Sequence, residues 1–168
     1  MCPRNQSILL AVLMAMFPAA CFADLKVDDD LPDLASFKLE GKLPEQIKGQ
    51  VILLDFWASW CGPCKISFPA MEELGKKYSS QGFSVIAVSV DEKAENMQRF
   101  VKSAKVSFTI VRDAQHKLVS AVNVKAMPTS FLIDRSGKIR FVHNGFDREQ
   151  TMREYVKEIE ELLKEPKP

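Results

Sequence analysis

An apolar stretch that runs directly into a pair of cysteines constrains this chain more than any other feature. Residues 51–58 read VILLDFWA, which is the pattern of a β-strand buried on both faces, as in a parallel sheet. Cys61 and Cys64 follow, and apolar side chains then recur at helical spacing at positions 68, 71, 74 and 78. The sequence therefore predicts a buried strand, a cysteine pair and a helix in immediate succession.

The rest of the chain alternates between apolar runs and amphipathic segments, as expected of one α/β domain over residues 24–168. Further strands are predicted at 37–39, 83–90, 108–111, 130–133 and 138–143. Helices are predicted around residues 97–104 and 116–122 and after Asp147, which has the spacing of a reciprocal capping box with Gln150. We expect a central mixed sheet with helices on both faces.

The spacing of Cys61 and Cys64 has a chemical logic. At a helix start, the first sulfur meets free backbone amides and the positive end of the helix dipole, which favour its thiolate form. Attack by Cys61 on a disulfide would give a mixed disulfide that Cys64 then resolves, and Pro63 restricts the turn between them. A passive structural disulfide is one alternative. Half of a zinc site is another, and its further ligands would have to come from His116 and His143.

Asp55 interrupts a strand that otherwise reads as fully buried, six residues before Cys61. Burying a carboxylate without a partner is costly, so the pKa of Asp55 should rise and the group could exchange protons near neutrality. We therefore predict that Asp55 accepts the Cys64 proton as the mixed disulfide resolves. The alternative is an aspartate paired with a lysine or a hydroxyl group at a strand end.

Pro128 stands directly before a predicted core strand, where its missing N–H removes a ladder hydrogen bond. A cis Met127–Pro128 bond at the strand start would resolve this conflict and bring the loop against the cysteine pair. An ordinary turn proline is the alternative.

The first 23 residues have the order of a secretory signal. One positive charge at Arg4 precedes the apolar run ILLAVLMAMF, and small residues then end at Ala23. The apolar stretch is short for a spanning helix, which needs about 20 residues. We expect cleavage after Ala23, and a lipid anchor on Cys21 or a retained membrane anchor is the alternative. Either arrangement places the domain outside the cytoplasm, in a bacterial periplasm or cell envelope.

Charge and cysteine content exclude other classes of protein. With 23 basic and 22 acidic residues, the chain lacks the basic surplus that a nucleic-acid partner requires. Four cysteines in 168 residues are too few for a disulfide scaffold, and Cys2 and Cys21 fall in the signal segment. The remaining two are the right number for one reversible disulfide, and we expect neither a cofactor nor a metal.

Together these residues resemble the thioredoxin superfamily. The match lies in Asp55-Phe56-Trp57-Ala58, Trp60-Cys61-Gly62-Pro63-Cys64-Lys65, Pro69 at the helix-kinking position, Pro128-Thr129 at the cis-proline loop, and Gly145 after the last strand. The resemblance implies that Cys61 is the nucleophile, Cys64 the resolving thiol and Asp55 the buried acid. It also implies a groove for a substrate strand, flanked by Trp60, Gly62, Pro63, Met127, Pro128 and Gly145.

Over residues 24–164 the chain is more similar to the exported branch of the superfamily that contains ResA and TlpA. It shares the signal or anchor, the Leu31-Pro32-Asp33 lead-in, Gly49-Gln50-Val51, and an extra helix–strand unit at residues 91–111. Members reduce disulfides outside the cytoplasm, often in apocytochrome c, and are recharged by a membrane thiol carrier. Cytochrome-maturation members carry a glutamate where this chain has Ser67, and tend to have an uncharged residue at the place of Asp55. Both departures argue against apocytochrome c as the substrate.

The resemblance implies a monomeric, exported thiol-disulfide oxidoreductase that acts mainly as a reductant of oxidised proteins. A thiol peroxidase is one alternative, but such enzymes typically have a single peroxidatic cysteine in a different loop. A metal-delivery module that uses the pair as ligands is the other. Copper carriers on this fold usually space their cysteines by three residues and add a histidine, and neither feature is apparent here.

Overall fold

The structure is a computed structural model that describes residues 25–167. The predicted signal segment, residues 1–23, lies outside the described residues. Among residues 25–167, no helix is both long enough and apolar enough to cross a membrane.

Five strands form one mixed sheet. They are β1 Val51–Trp57, β2 Phe83–Ser89, β3 Thr109–Arg112, β4 Thr129–Ile133 and β5 Ile139–Asn144. Their order across the sheet is β3-β2-β1-β4-β5, in which β1, β2 and β3 run parallel while β4 and β5 pair antiparallel. β1 is therefore central, and all seven of its residues are buried, as its unbroken apolar sequence predicts.

Four α-helices cover this sheet. They are α1 Gly62–Tyr78, α2 Ala94–Ala104, α3 Lys117–Ala121 and α4 Arg148–Leu163. α1, α2 and α4 pack on one face, with the odd-numbered apolar residues of β1, whereas α3 and the N-terminal extension pack on the other. The predicted mixed sheet with helices on both faces is confirmed. The extra helix–strand unit is confirmed as well, since it forms α2 and the edge strand β3.

The N-terminal extension departs from the sequence prediction. The strand predicted at residues 37–39 is wrong, because a 3₁₀-helix spans Leu34–Phe37 and Lys38 after it has a left-handed backbone with φ of 52°. The carboxylate of Asp33 accepts a hydrogen bond from Ala35 N–H and so offers the backbone a local alternative to strand pairing. Glu40 then makes an isolated bridge to Arg112 at the edge of the sheet.

The cap of α4 is partly as predicted. Asp147 is the N-cap, and its carboxylate accepts hydrogen bonds from the N–H groups of Glu149 and Gln150. The reciprocal partner is wrong: the Asp147 N–H donates to Thr151 Oγ1 at 3.0 Å, whereas Gln150 Nε2 donates to Glu154. Gln150 is exposed and pairs along the helix surface, which leaves the buried Thr151 hydroxyl to complete the cap.

Candidate active site

The cysteine pair lies where the central strand passes into the first helix. β1 ends at Trp57 and α1 begins at Gly62, so the loop between them carries Cys61 at the carboxyl edge of the parallel strands. Cys61 is the N-cap of α1, and Pro63 occupies the first turn, where a fixed φ and a missing N–H cost little. The first sulfur is thereby held at the positive end of a 17-residue helix.

The two sulfurs differ in accessibility. A disulfide joins Cys61 to Cys64, whose Cα atoms are 5.3 Å apart. Cys64 is fully buried, whereas Cys61 keeps 5% of its surface exposed. The Cys64 N–H donates to the Cys61 Sγ at 3.2 Å, and the same amide would stabilise negative charge on that sulfur after reduction. Of the two, Cys61 is the sulfur that an incoming disulfide meets first.

A buried aspartate holds the loop in front of the cysteines. The Asp91 carboxylate accepts hydrogen bonds from Ser59 N–H at 3.0 Å and from Ser59 Oγ at 2.6 Å, and also from Ser89 Oγ at 2.8 Å. Sequence reasoning missed this residue. The available signal was its place directly after a buried parallel strand, at the sheet edge where sites of α/β proteins form.

Several predicted groove residues are brought together by contacts between loops. The Met127–Pro128 peptide bond is cis, and the Pro128 carbonyl accepts a hydrogen bond from Gly145 N–H at 2.7 Å. Gly145 has a φ of 82°, which glycine adopts without steric cost. Trp60 and Met127 line one open groove of about 430 Å³. Gly62 and Pro63 are exposed in the turn between the cysteines.

The same groove has a second wall made by the extra helix–strand unit and α3. That wall includes Glu92, Lys93, Asn96 and His116. A larger cavity of about 560 Å³ lies under the N-terminal extension, lined by residues such as Leu31 and Asp134 but by neither cysteine. Because reactivity resides in the sulfurs, the smaller groove beside Trp60 is the candidate substrate site.

Asp55 is buried in the core layer between the sheet and the helices α1 and α4. Its side chain is 1% exposed, and neither carboxylate oxygen has a hydrogen-bond partner within the described part of the chain. Its register partners are Ala87 on β2 and Ser130 on β4. Burial raises the pKa of Asp55 to about 8, and the nearby Ser130 hydroxyl offsets only part of that effect. A carboxyl group with this pKa can take up or release a proton near neutrality.

The two histidines form hydrogen bonds that do not involve the cysteines. His116 Nε2 lies 3.0 Å from the Val90 carbonyl oxygen, and His143 Nε2 lies 2.7 Å from Glu158 Oε2. Within residues 25–167, no group of three or more His, Cys, Asp or Glu side chains is arranged to hold a metal ion.

Two further polar residues of the same core layer were not singled out from the sequence. Ser130 was read as part of a core strand, and Tyr155 as a member of the apolar stripe of the last helix. Their hydroxyl groups lie 2.5 Å apart in the core. The available signal was Tyr155 itself, since a buried tyrosine hydroxyl needs a hydrogen-bond partner.

Known proteins share both the sequence and the fold. Residues 26–163 match the family described as Redoxin. The thiol-disulfide oxidoreductase ResA of Bacillus subtilis (strain 168) is 34% identical over 154 residues, which cover 89% of this chain and 86% of that protein. A Chlorobium tepidum crystal structure, assigned as the thiol:disulfide interchange protein DsbE, is 40% identical with a TM-score of 0.76 and covers 83% of this chain and 99% of its own.

A third similar structure is the exposed lipoprotein thioredoxin Etrx1 of Streptococcus pneumoniae strain TIGR4. It is 27% identical with a TM-score of 0.57, over 66% of this chain and 86% of that one. The family match spans most of the described residues, and the Cys61–Cys64 disulfide supplies the chemistry that the relatives' names state. The chain therefore belongs to the redoxin family, as a thiol-disulfide oxidoreductase related to ResA.

Proposed function

We propose that this protein is an extracytoplasmic reductant of protein disulfides. In this proposal Cys61 is the nucleophile, Cys64 the resolving thiol and Asp55 the proton acceptor. The observation that carries the proposal is the buried Asp55 carboxyl, without a hydrogen-bond partner among the described residues, in the same core layer as the fully buried Cys64. A base in that position serves the step in which the buried thiol must lose its proton.

The reaction starts from the dithiol form of the enzyme. The Cys61 thiolate attacks one sulfur of the substrate disulfide, whose bond breaks as the new one forms, and the departing substrate thiolate takes up a proton. Cys64 passes its proton to the Asp55 carboxylate and attacks the Cys61 sulfur. The second substrate thiolate leaves and receives that proton, so two electrons have moved from the enzyme dithiol to the substrate.

The direction of the reaction can be tested by the reduction potential. A Cys-Gly-Pro-Cys motif with a buried acid is more similar to thioredoxin than to the oxidant DsbA. The reduction potential of thioredoxin is about −270 mV and that of DsbA about −120 mV. We expect a potential below about −200 mV, measured by equilibration with defined thiol couples, together with catalysed reduction of insulin. A potential close to that of DsbA would overturn the assignment as a reductant.

The order of attack is tested by a trapping variant. In Cys64→Ala, the mixed disulfide on Cys61 has no resolving thiol, so substrate proteins should accumulate on Cys61 and be identifiable by mass spectrometry. The matched variant Cys61→Ala should capture little, because Cys64 is fully buried. Capture through Cys64 in place of Cys61 would reverse the assigned roles.

The role of Asp55 is tested by Asp55→Asn, which removes the base and keeps the shape. Insulin reduction should slow most at neutral pH, and the deficit should shrink above about pH 9, where a cysteine thiol ionises unaided. An unchanged pH–rate profile in a folded variant would show that Asp55 takes no part in the reaction.

The proposed location rests on the signal-like residues 1–23 and on the similarity to Etrx1, which is described as an exposed lipoprotein. The electron donor would then be a membrane thiol carrier on the same side. Mass spectrometry of the protein isolated from fractionated native cells distinguishes a cleaved chain, a lipid-anchored chain and an intact chain. A first residue at Asp24 supports cleavage and a lipid on Cys21 supports the anchor, while an intact chain in the cytoplasm contradicts export.

The proposed substrate class is supported by Ser67. Ser67 is 1% exposed, and its hydroxyl donates a hydrogen bond to the Cys64 carbonyl at 2.9 Å. The position therefore holds a hydrogen bond within α1 and lacks the carboxyl group that cytochrome-maturation members have there. We propose a general protein disulfide substrate, with no preference for apocytochrome c. Competition between oxidised insulin and an oxidised apocytochrome c peptide measures this, and a clear preference for the peptide would contradict it.

The peroxidase alternative has little support. Cys61 and Cys64 are the only cysteines among residues 25–167, and they are joined to each other. A separate peroxidatic cysteine is therefore absent from the part of the chain that the structure describes.

A further inference from the structure

A row of side chains with polar groups crosses the sheet beneath α4. Asp55 on β1, Ser130 on β4 and His143 on β5 are successive register partners, so their side chains point to the same face. Tyr155 of α4 lies over this row. Its hydroxyl oxygen is 2.5 Å from Ser130 Oγ, and its ring centroid is 4.9 Å from that of His143.

The hydroxyl pair can exist in two hydrogen-bonded arrangements. Ser130 and Tyr155 are buried, and either oxygen can donate the bond between them. When Tyr155 donates, the Ser130 proton is free to turn toward Asp55. When Ser130 donates to Tyr155, Asp55 receives no proton from it. In the structure neither Asp55 oxygen has a hydrogen-bond partner among the described residues, although the neighbouring Ser130 hydroxyl lowers the pKa of Asp55.

Among residues 25–167, no positively charged group is bonded to Asp55. On the β2 side its register partner is Ala87, and α1 contributes Cys64 and apolar side chains such as Phe68 to the same core layer. On the other side, His143 Nε2 lies 2.7 Å from Glu158 and His143 Nδ1 lies 3.5 Å from Glu154, both of α4. A charged Asp55 would therefore depend on neutral donors.

Tyr155 is suited to donate and not to ionise. The pKa of the Tyr155 phenol is raised mainly because the group is buried, and the negative charge of Asp55 raises it further. The phenol consequently keeps its proton at any pH at which the protein works, and that proton can point to Ser130.

We propose that Ser130 and Tyr155 are positioning residues whose hydroxyls form a reorienting relay. While the Asp55 carboxyl is charged, Tyr155 donates a hydrogen bond to Ser130 and Ser130 donates one to Asp55. When the carboxyl is neutral, the Ser130 hydroxyl donates to Tyr155 instead. Each hydroxyl keeps its own proton throughout, so the proton that moves is the one exchanged between Cys64 and Asp55. The inference rests on the proposed role of Asp55 as proton acceptor.

The test removes one hydroxyl at a time, in Tyr155→Phe and in Ser130→Ala. The first readout is the pKa of the Asp55 carboxyl, which is measured by carbon NMR titration of the oxidised protein. The second is the pH profile of insulin reduction. In Ser130→Ala the hydrogen bond to the charged carboxyl is lost, so we expect the Asp55 pKa to rise by about one pH unit. In Tyr155→Phe the Ser130 hydroxyl loses its other partner and stays turned toward Asp55, so we expect the Asp55 pKa to fall. The rate of Ser130→Ala at neutral pH should fall by up to about tenfold and recover in alkaline buffer.

The matched control is Tyr78→Phe, which also removes a tyrosine hydroxyl from the helical layer. That hydroxyl donates to Glu160 at 2.6 Å, not to the Asp55 row, so both readouts should keep their wild-type values. If Ser130→Ala does not fold, Tyr155→Phe decides alone. Ser130→Thr, which keeps the hydroxyl, should retain the wild-type Asp55 pKa.

An unchanged Asp55 pKa in folded Tyr155→Phe would overturn the relay while leaving the proposed function intact. A wild-type protein that fails to reduce insulin would instead overturn the proposed function, whatever the NMR titration gives. The two failures are therefore distinguishable.

Discussion

Asp55 makes the stability of this protein depend on pH. Its pKa is raised from an ordinary 3.8 to about 8 by burial in the fold. Between those two values, the unfolded chain has released this proton while the folded chain still holds it. The unfolded state then binds fewer protons, so the contribution of Asp55 to the free energy of unfolding decreases as pH rises from about 4 to about 8.

Replacing Asp55 by asparagine should accordingly stabilise the oxidised protein at pH 7 by about 2–4 kcal/mol, with a gain of less than about 1 kcal/mol near pH 4, where the unfolded carboxyl is only partly ionised. Urea unfolding at several pH values measures this difference. The control Asp30→Asn removes a carboxylate whose side chain is 81% exposed and should have a small effect that does not change with pH. A stabilisation of equal size at both pH values would contradict the assigned ionisation.

Trp60 is a large apolar side chain that the fold leaves in solvent beside the disulfide. It is 69% exposed, and Ile66 on the exposed side of α1 is 53% exposed. We expect Trp60→Ala to lower kcat/KM for insulin about tenfold, equivalent to about 1.4 kcal/mol, because an aromatic anchor for a protein substrate is lost. Reduction of a small disulfide reagent should change much less.

Val27 provides the matched control for Trp60, since it is 51% exposed but lies in the N-terminal extension. Val27→Ala should leave kcat/KM for both substrates unchanged. Equal losses on the protein and the small substrate in Trp60→Ala would argue for a general effect on the disulfide and against a docking role.

At the level of elements, α4 depends on its cap. Asp147 accepts two backbone hydrogen bonds at the start of the helix that carries Tyr155 over the core. Asp147→Ala should lower the free energy of unfolding by about 1 kcal/mol, measured by urea denaturation. Asp147→Asn should retain most of the stability, because asparagine caps as well as aspartate. If the two variants were equally unstable, charge and not the hydrogen bonds would be the source of the effect.

The central unit of β1 and α1 was predictable because its patterns are local. A continuous apolar run and a helical repeat need only neighbouring residues, and the observed elements start and end within one or two residues of the predicted positions where the patterns are strong. The strand predicted at residues 37–39 was wrong because a carboxylate cap outcompeted a weak strand signal. The cap partner of Asp147 was wrong because two adjacent side chains could both reach it.

For the whole molecule, Arg112 connects the N-terminal extension to the site. Its Nε and Nη2 atoms donate to Glu40 Oε2 at 3.0 and 2.7 Å, and Nη1 donates to the carbonyl oxygens of Asp91 and Glu92 at 3.1 and 2.9 Å. Asp91 in turn holds Ser59. The extension, the edge strand and the loop before the cysteines therefore share one guanidinium group.

Arg112→Met should destabilise the protein by about 2–3 kcal/mol, because two backbone carbonyls lose their charged donor as well as the ion pair. Glu40→Gln should cost no more than about 1 kcal/mol, since that carboxylate is half exposed and solvent screens it. Glu45→Gln, in a pair with Lys42 that is fully solvated, should change nothing measurable by thermal or urea unfolding. Equal losses in Arg112→Met and Glu40→Gln would mean that the carbonyl bonds contribute little.

The sequence by itself determined the fold class, the reactive pair and the candidate base. These depend on properties that residues carry with them: apolar periodicity, the spacing of two sulfurs, and a carboxyl placed in a run that water cannot reach. The tertiary structure alone decided what surrounds that base. Ser130 and Tyr155 are 25 residues apart, and strand register and helix packing bring them together in the core layer that holds Asp55. Such contacts arise from long-range geometry, which no local pattern encodes.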